Sequence, residues 1–294
     1  MNKRAFADVS LLLKHIPLLF LAICCIAPLL LVVNVSFTDI QSIYRTGYSF
    51  LPHAISLDAY AYIFADAKQI VHSYLVTILV TAAGTALSLL VMAMIAYPLS
   101  RADFRHQRKM TFYVFFTMLF NGGLVPTYIV VTKYLHLGDS FWALILPYLV
   151  IPWYVLLLKT FFTQIPYEII EASKVDGCSE YRIFFTILLP MTKPALATVG
   201  LMVSLRYWND WWLSLLYINN ENLVPLQLLL YRIMANIQEL ARMAAESGIN
   251  ETIEFPSESA RMAMAIIAAG PMLFIFPFFQ RYFVQGLTVG AVKG

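Results

Sequence analysis

Five long stretches of the chain contain no Asp, Glu, Lys or Arg: His15–Thr38, Gln69–Ser100, Met110–Thr132, Ser140–Leu158 and Met262–Gln280. A helix needs about 20 apolar residues to cross a hydrocarbon core roughly 30 Å thick, so each run is long enough to span a bilayer. A sixth run, from Pro194 to about Trp212, carries Arg206 and Asp210 near its end. The runs are too long for the strands of a membrane barrel, which alternate in segments of about ten residues. The expected fold is therefore all-α, an integral membrane protein with six transmembrane helices at about 16–37, 70–98, 110–132, 140–158, 190–212 and 262–280. Composition agrees: 60% of the residues are hydrophobic and 13% charged, against roughly 25% charged in a soluble domain.

The few charges set an orientation. With the N-terminus inside, the inner segments hold thirteen Lys and Arg and six acids, and the outer segments hold seven and eleven, giving +7 inside and −4 outside. Cationic loops stay cytoplasmic, so both termini are expected on the cytoplasmic side of the membrane. Lys3, Arg4 and Lys14 precede the first run as in a signal peptide, but that run exceeds the roughly 7–15 residues of a cleavable h-region. It reads as an uncleaved anchor. Residues 159–193 form a long inner loop, 213–261 a long outer loop and 281–294 an inner tail. In the outer loop Leu226, Leu229, Leu230, Ile233, Ile237 and Leu240 recur at helical spacing, the pattern of an amphipathic helix.

Several classes of activity lack their residues. The chain has no G-x-x-x-x-G-K-[ST] run to cradle a nucleotide, and a net charge of +3 without a basic stripe does not suit nucleic acid. The five histidines are isolated and Cys24, Cys25 and Cys178 show no ligand spacing, so no metal site and no catalytic residue is expected. A proton-coupled secondary transporter would need mid-membrane ionisable groups and usually an internal repeat. Neither is evident.

The inner loop is the most informative segment. Pro166 stands where a helix would start and Gly177 where it would stop, the usual asymmetry of the two residues, and Glu168 and Glu171 lie in the first turns, where the helix dipole favours acids. A second helix is expected from Ser179. The segment contains Glu171-Ala172-Ser173, then Asp176-Gly177, then nine residues to Ile187, with Leu189-Pro190 following. This pattern resembles the E-A-A loop of the permease subunits of binding-protein-dependent ABC importers, with Ser173 for the second Ala.

Three further stretches resemble the sugar-importing, maltose-type branch of that family. They are Tyr207-Trp208-Asn209-Asp210-Trp211-Trp212, Asn121-Gly122-Gly123 with Pro126, and the ending from Gln280 to Gly294. The resemblance implies that Glu171, Ala172, Ser173, Asp176, Gly177, Ile187 and Pro190 couple the chain to an ATPase, with Gly290, Lys293 and Gly294 reaching the same partner. It implies an assembly with a second, homologous permease, two ATPase subunits and an extracytoplasmic solute-binding protein. ATP and Mg would belong to the ATPase and no cofactor to this chain. The substrate expected is an oligosaccharide, including acidic ones such as alginate or pectin fragments; an ABC permease for a non-sugar solute is the alternative. Asn121, Gly122, Gly123, Arg206, Tyr207, Trp208, Asn209 and Asp210 are the candidate substrate pathway. Aromatic residues there fit both ring stacking on sugars and an interfacial belt. Arg206 and Asp210, four apart, share a helix face and fit either an ion pair or a contact with a sugar carboxylate.

Overall fold

In the computed structural model of the protein, residues 3–51, 54–246, 258–272 and 277 are described. They are helical almost throughout. α1 (Lys3–Ser36), α2 (Ile40–Thr46), α3 (Asp58–Ile63) and α4 (Ala67–Ser100) are followed by α5 (Gln107–Leu119) and α6 (Leu124–Ile129). After two short 3₁₀ turns come α7 (Pro152–Thr163), α8 (Tyr167–Val175), α9 (Glu180–Arg182), α10 (Leu189–Met191), α11 (Lys193–Trp208), α12 (Trp212–Tyr217) and α13 (Leu226–Glu246). Residues 258–272 are also helical. The tail residues Gly290, Lys293 and Gly294, and most of the span expected after Met272, lie outside the described residues.

The chain divides into two compact units, Met1–Ala67 with Leu230–Gly270, and Lys68–Leu229 with Pro271–Gly294. In the first, α1 leaves Leu18, Leu19 and Phe20 at least 60% exposed. An apolar face of that extent suits lipid rather than water. Val35, Ile40 and Ile43 pack with Leu31 and Met262 where α1 turns into α2, and Ser36 meets the Tyr60 hydroxyl at 3.0 Å.

In the second unit, α4 is the axis. Its buried positions Ile70, Ser73, Thr77, Val80, Gly84, Ser88, Met92 and Ala96 fall three or four apart, one face of a helix. Met92, Val155, Leu158, Ile183, Val199 and Val203 are almost wholly buried in a core built by α4, α7, the segment after α9, and α11. Gly84 is required by close packing. A Cβ there would lie 2.7 Å from Cζ of Tyr207, whose hydroxyl bonds Ser88 Oγ at 2.9 Å and the Ile145 carbonyl at 3.0 Å.

Three of the expected spans are not single straight helices. α5 and the segment Leu124–Tyr134 meet at 110°, Phe141–Tyr148 and α7 at 55°, and Glu180–Met191 and α11 at 82°. Among the described residues two helices are long and apolar enough to cross a membrane, or up to five if each bent pair is one span. The sixth expected span, 262–280, is described only to Met272 and at residue 277, so the expected count of six is not confirmed among the described residues. The longest uninterrupted stretch, Asp58–Ser100, also starts before the expected residue 70. In α13 the expected apolar stripe holds Leu226, Leu230 and Ile237 in the interior but leaves Leu240 40% exposed, since the stripe drifts off the packed face towards the helix end.

Gly84→Val is expected to destabilise the protein by roughly 1–3 kcal/mol, because the added atoms have no room against the Tyr207 ring. Thermal unfolding in detergent measures it, and an unchanged midpoint would mean the ring is free to move.

Candidate functional site

The helix expected between Pro166 and Gly177 is α8, and its end follows from local geometry. Gly177 has φ +77°, the left-handed region that favours glycine. The amide of Gly177 donates to the Lys174 carbonyl and that of Cys178 to the Ser173 carbonyl, both at 3.0 Å. This pair of bonds is the Schellman closure of a helix. Ser179 Oγ then caps the next helix by accepting from Arg182 N.

Beyond α9 the backbone widens into a π-helix over Ile183–Leu188. Pro190 has no N–H to close an α-turn on Thr186, and its ring would crowd that carbonyl; the π-turns accommodate both. Ile187, in this segment, is half-buried.

The faces of α8 divide the expected coupling residues. Glu171, Ala172, Asp176 and Gly177 are exposed, and Val175 is 88% exposed. Ser173 is different: it is buried, and its hydroxyl donates to the Ile169 carbonyl at 2.7 Å. It therefore belongs with Ile170 to the inward face, and does not share the open surface with Ala172.

That inward side is held by a cluster of charges that the sequence did not reveal. Arg101, one residue beyond α4, is only 5% exposed. Its guanidinium donates from Nε to Asp103 Oδ1 at 2.8 Å and from Nη2 to Oδ2 at 2.6 Å, a bidentate fork. Its Nη1 reaches the Tyr97 hydroxyl at 2.8 Å and Glu180 Oε2 at 3.4 Å. The Tyr97 hydroxyl in turn donates to Glu180. From α8, Lys174 Nζ bonds Asp103 at 3.0 Å and Glu180 at 2.9 Å, and the Tyr167 ring lies 5.5 Å from the Arg101 guanidinium. Two cations and two carboxylates thus neutralise one another, which is what a buried guanidinium needs. The Arg101 fork, with Lys174 beside it, holds the Asp103 carboxyl well below the usual carboxylate range. Glu180 and Asp103 together raise the Lys174 ammonium above its ordinary value.

The second candidate region is the aromatic segment after α11. Tyr207 and Trp208 are 3% and 2% exposed, so they build the fold, whereas Arg206, Asn209, Trp211 and Trp212 are exposed. Arg206 and Asp210 do not pair directly. The Arg206 guanidinium lies 4.1 Å from the centre of the Tyr148 ring, and the Tyr148 hydroxyl donates to Asp210 Oδ1 at 3.0 Å. The other Asp210 oxygen accepts from Leu213 N at 3.1 Å at the start of α12. Tyr148 was not singled out in the sequence, because nothing local marks a residue so far back along the chain as the link. Asn121, Gly122 and Gly123 are exposed at the 110° break; Asn121 Oδ1 accepts from Gly123 N at 2.8 Å, and Gly123 has φ +85°.

Broken helices of this kind fit a membrane transport protein. Residues 5–289 match the family of binding-protein-dependent transport system inner membrane components, and the chain belongs to that family. It is a multi-pass permease of the bacterial inner membrane, not an enzyme, and the ATPase of such an importer is a separate subunit. The chain is 39% identical over 277 residues (94% of this chain, 96% of the relative) to the polygalacturonan/rhamnogalacturonan transport system permease protein YtcP of Bacillus subtilis (strain 168). It is 29% identical over 296 residues (99% and 100%) to the arabinooligosaccharides transport system permease protein AraQ of Halalkalibacterium halodurans. A crystal structure of a bacterial ABC transporter involved in the import of the acidic polysaccharide alginate contains a chain that is 26% identical, with a TM-score of 0.76, covering 96% of this chain and 99% of that one.

A Cβ at residue 177 would meet nothing within 4 Å, so a side chain there is opposed by backbone strain alone. Gly177→Val is expected to cost about 1–2 kcal/mol and to expose residues 166–180 to protease, whereas Gly177→Asn retains most of the protection. Equal cleavage of the two variants would contradict the left-handed turn.

The charge cluster also has a pH signature. The lowered Asp103 contributes stability that is complete above its unfolded pKa of about 3.9 and is lost as pH falls through the folded value; the raised Lys174 contributes stability complete below about 10.4 and lost as pH rises through its folded value. The thermal midpoint should therefore hold level from about pH 5 to 9 and fall below about pH 4. A step between pH 6 and 7 would contradict the pairing.

Proposed function

We propose that the chain is one of two homologous membrane subunits of an importer for oligosaccharides, acidic ones in particular, driven by two copies of an ATPase that binds ATP and Mg. A solute-binding protein delivers the sugar on the outer side, and both termini of the chain face the cytoplasm. The observation that carries the coupling half of this reading is the open face of α8. Ala172 and the 88% exposed Val175 present a small and an apolar side chain beside the exposed carboxylate of Glu171, a surface that a partner groove can approach closely. The inner segments taken together hold thirteen Lys and Arg against six acids, which supports a cytoplasmic α8.

For the substrate, the exposed Arg206 is the telling group. Asp210 is engaged by Tyr148 and by the amide of Leu213, so the Arg206 fork, stacked on Tyr148, is left to bind a planar carboxylate such as that of a uronic acid. Exposed Asn209, Trp211 and Trp212 beside it supply a hydrogen-bonding amide and ring faces for a pyranose. The relative named for polygalacturonan/rhamnogalacturonan and the structural relative named for alginate support the acidic class, and the relative named for arabinooligosaccharides supports oligosaccharides in general.

Replacing Arg206 by Met removes one charge-assisted hydrogen-bonding group, about 1.5–3 kcal/mol, so uptake of an oligogalacturonate into proteoliposomes should fall by roughly ten- to a hundredfold. Uptake of a neutral arabino-oligosaccharide should change little. Equal losses for both would remove Arg206 from substrate selection.

A further inference from the structure

Two routes lead from α8 into the helical bundle. One runs along the chain through α9, the π-helix Ile183–Leu188, Pro190 and the 82° bend before α11. Widened turns and a sharp break leave this route without one straight helix along it. The other crosses space: Lys174 and the Tyr167 ring on α8 meet Asp103 and the Arg101 guanidinium at the end of α4, and Glu180 closes the ring of contacts with Tyr97 on α4 itself. α4 is continuous over 34 residues. Its middle packs on the aromatic segment, with Gly84 under the Tyr207 ring and Ser88 on the Tyr207 hydroxyl. At its start, Gln69 and His72 bond the carbonyls of Glu221 and Asn222.

We propose that Arg101 is the positioning residue that transmits displacement of α8 to α4, and through α4 to Tyr207 and the adjoining Arg206. The geometry suits the task. A guanidinium that is 5% exposed and donates to Asp103, Glu180 and the Tyr97 hydroxyl at once cannot follow one partner without carrying the others. Its fixed planar fork makes the joint stiff, which a lysine at the same place would not reproduce. The cavity of about 350 Å³ bordered by Tyr97, Pro98, Arg101, Asp103, Phe104 and Glu180 gives the joint room to shift as a unit. This inference rests on the reading of α8 as the ATPase-docking helix, and extends it to the path inside the permease.

The test uses the whole complex in proteoliposomes, with its binding protein and an oligogalacturonate, and reads sugar taken up per ATP hydrolysed. Arg101→Gln is expected to lower that ratio by about tenfold, the scale of a typical coupling energy, while the assembled complex still hydrolyses ATP; Arg101→Lys should recover part of it. An unchanged ratio, or identical ratios for Gln and Lys, would overturn the proposal. If Arg101→Gln does not assemble, Lys174→Met decides: its ammonium is 37% exposed, so the complex should persist with a ratio reduced about fivefold, and no reduction overturns the proposal. Ala172→Arg, on the open face of α8, separates this inference from the reading beneath it. If Ala172→Arg leaves uptake intact, the docking helix is wrongly assigned. If it abolishes uptake while Arg101→Gln leaves the ratio unchanged, the docking reading stands and the Arg101 path fails.

Discussion

A helix that breaks within hydrocarbon frees backbone groups that water cannot reach, and each must find a partner inside the protein. This constraint organises the second unit. Where α5 gives way to α6, Asn121 takes the amide of Gly123, and ahead of the Phe141–Tyr148 segment Ser140 Oγ accepts from Trp142 N. At the bend before α11 Thr192 donates to the Leu188 carbonyl, and after α11 Asp210 accepts from Leu213 N. The polar residues interrupting the apolar runs are thus at the points where helices end. Breaks made in this way let short helices change direction without exposing unsatisfied backbone, and broken helices of this kind border substrate paths in transporters.

The same economy governs the scarce charges. Arg101, Asp103, Lys174 and Glu180 form one neutral cluster that joins α8 to α4, so the side of α8 turned away from it remains available to a partner. At the other candidate region, Tyr148 stands between Arg206 and Asp210. The carboxylate serves the backbone of α12, and the guanidinium is presented outward. In both places an aromatic ring supports an arginine, Tyr167 and Tyr97 for Arg101 and Tyr148 for Arg206, and fixes the direction of its fork.

Much of this was legible in the sequence, for physical reasons. Charge-free runs report on solvent, because lipid excludes ions whatever the fold, so the membrane class followed directly, although the helical stretch through α4 starts earlier than the charge-free run. Gly177 was legible because a positive φ restricts the residue type. The breaks were only half legible: two glycines close to Pro126 within an apolar run disfavour a continuous helix, but the angle of the break depends on packing that no local pattern encodes. Burial within a motif was not legible at all. Tyr207 and Trp208 read the same as Trp211 and Trp212 in sequence, yet the first pair is buried and the second exposed, and Ser173 reads like Ala172 but faces inward. The Arg101 cluster was hidden for a related reason, since it joins residues 71 to 83 positions apart, where spacing carries no signal.

In the proposed importer, α8 presents its open face to the ATPase. Site-directed cross-linking tests it most directly. A single cysteine in place of Ala172, in a chain from which Cys24, Cys25 and Cys178 have been removed, would be probed against single cysteines introduced into the ATPase of the assembled complex in membranes. A disulfide is expected from position 172, and none from Ser173→Cys, whose side chain is turned inward. A cross-link from 173 but not 172, or from neither in an assembled complex, would contradict it.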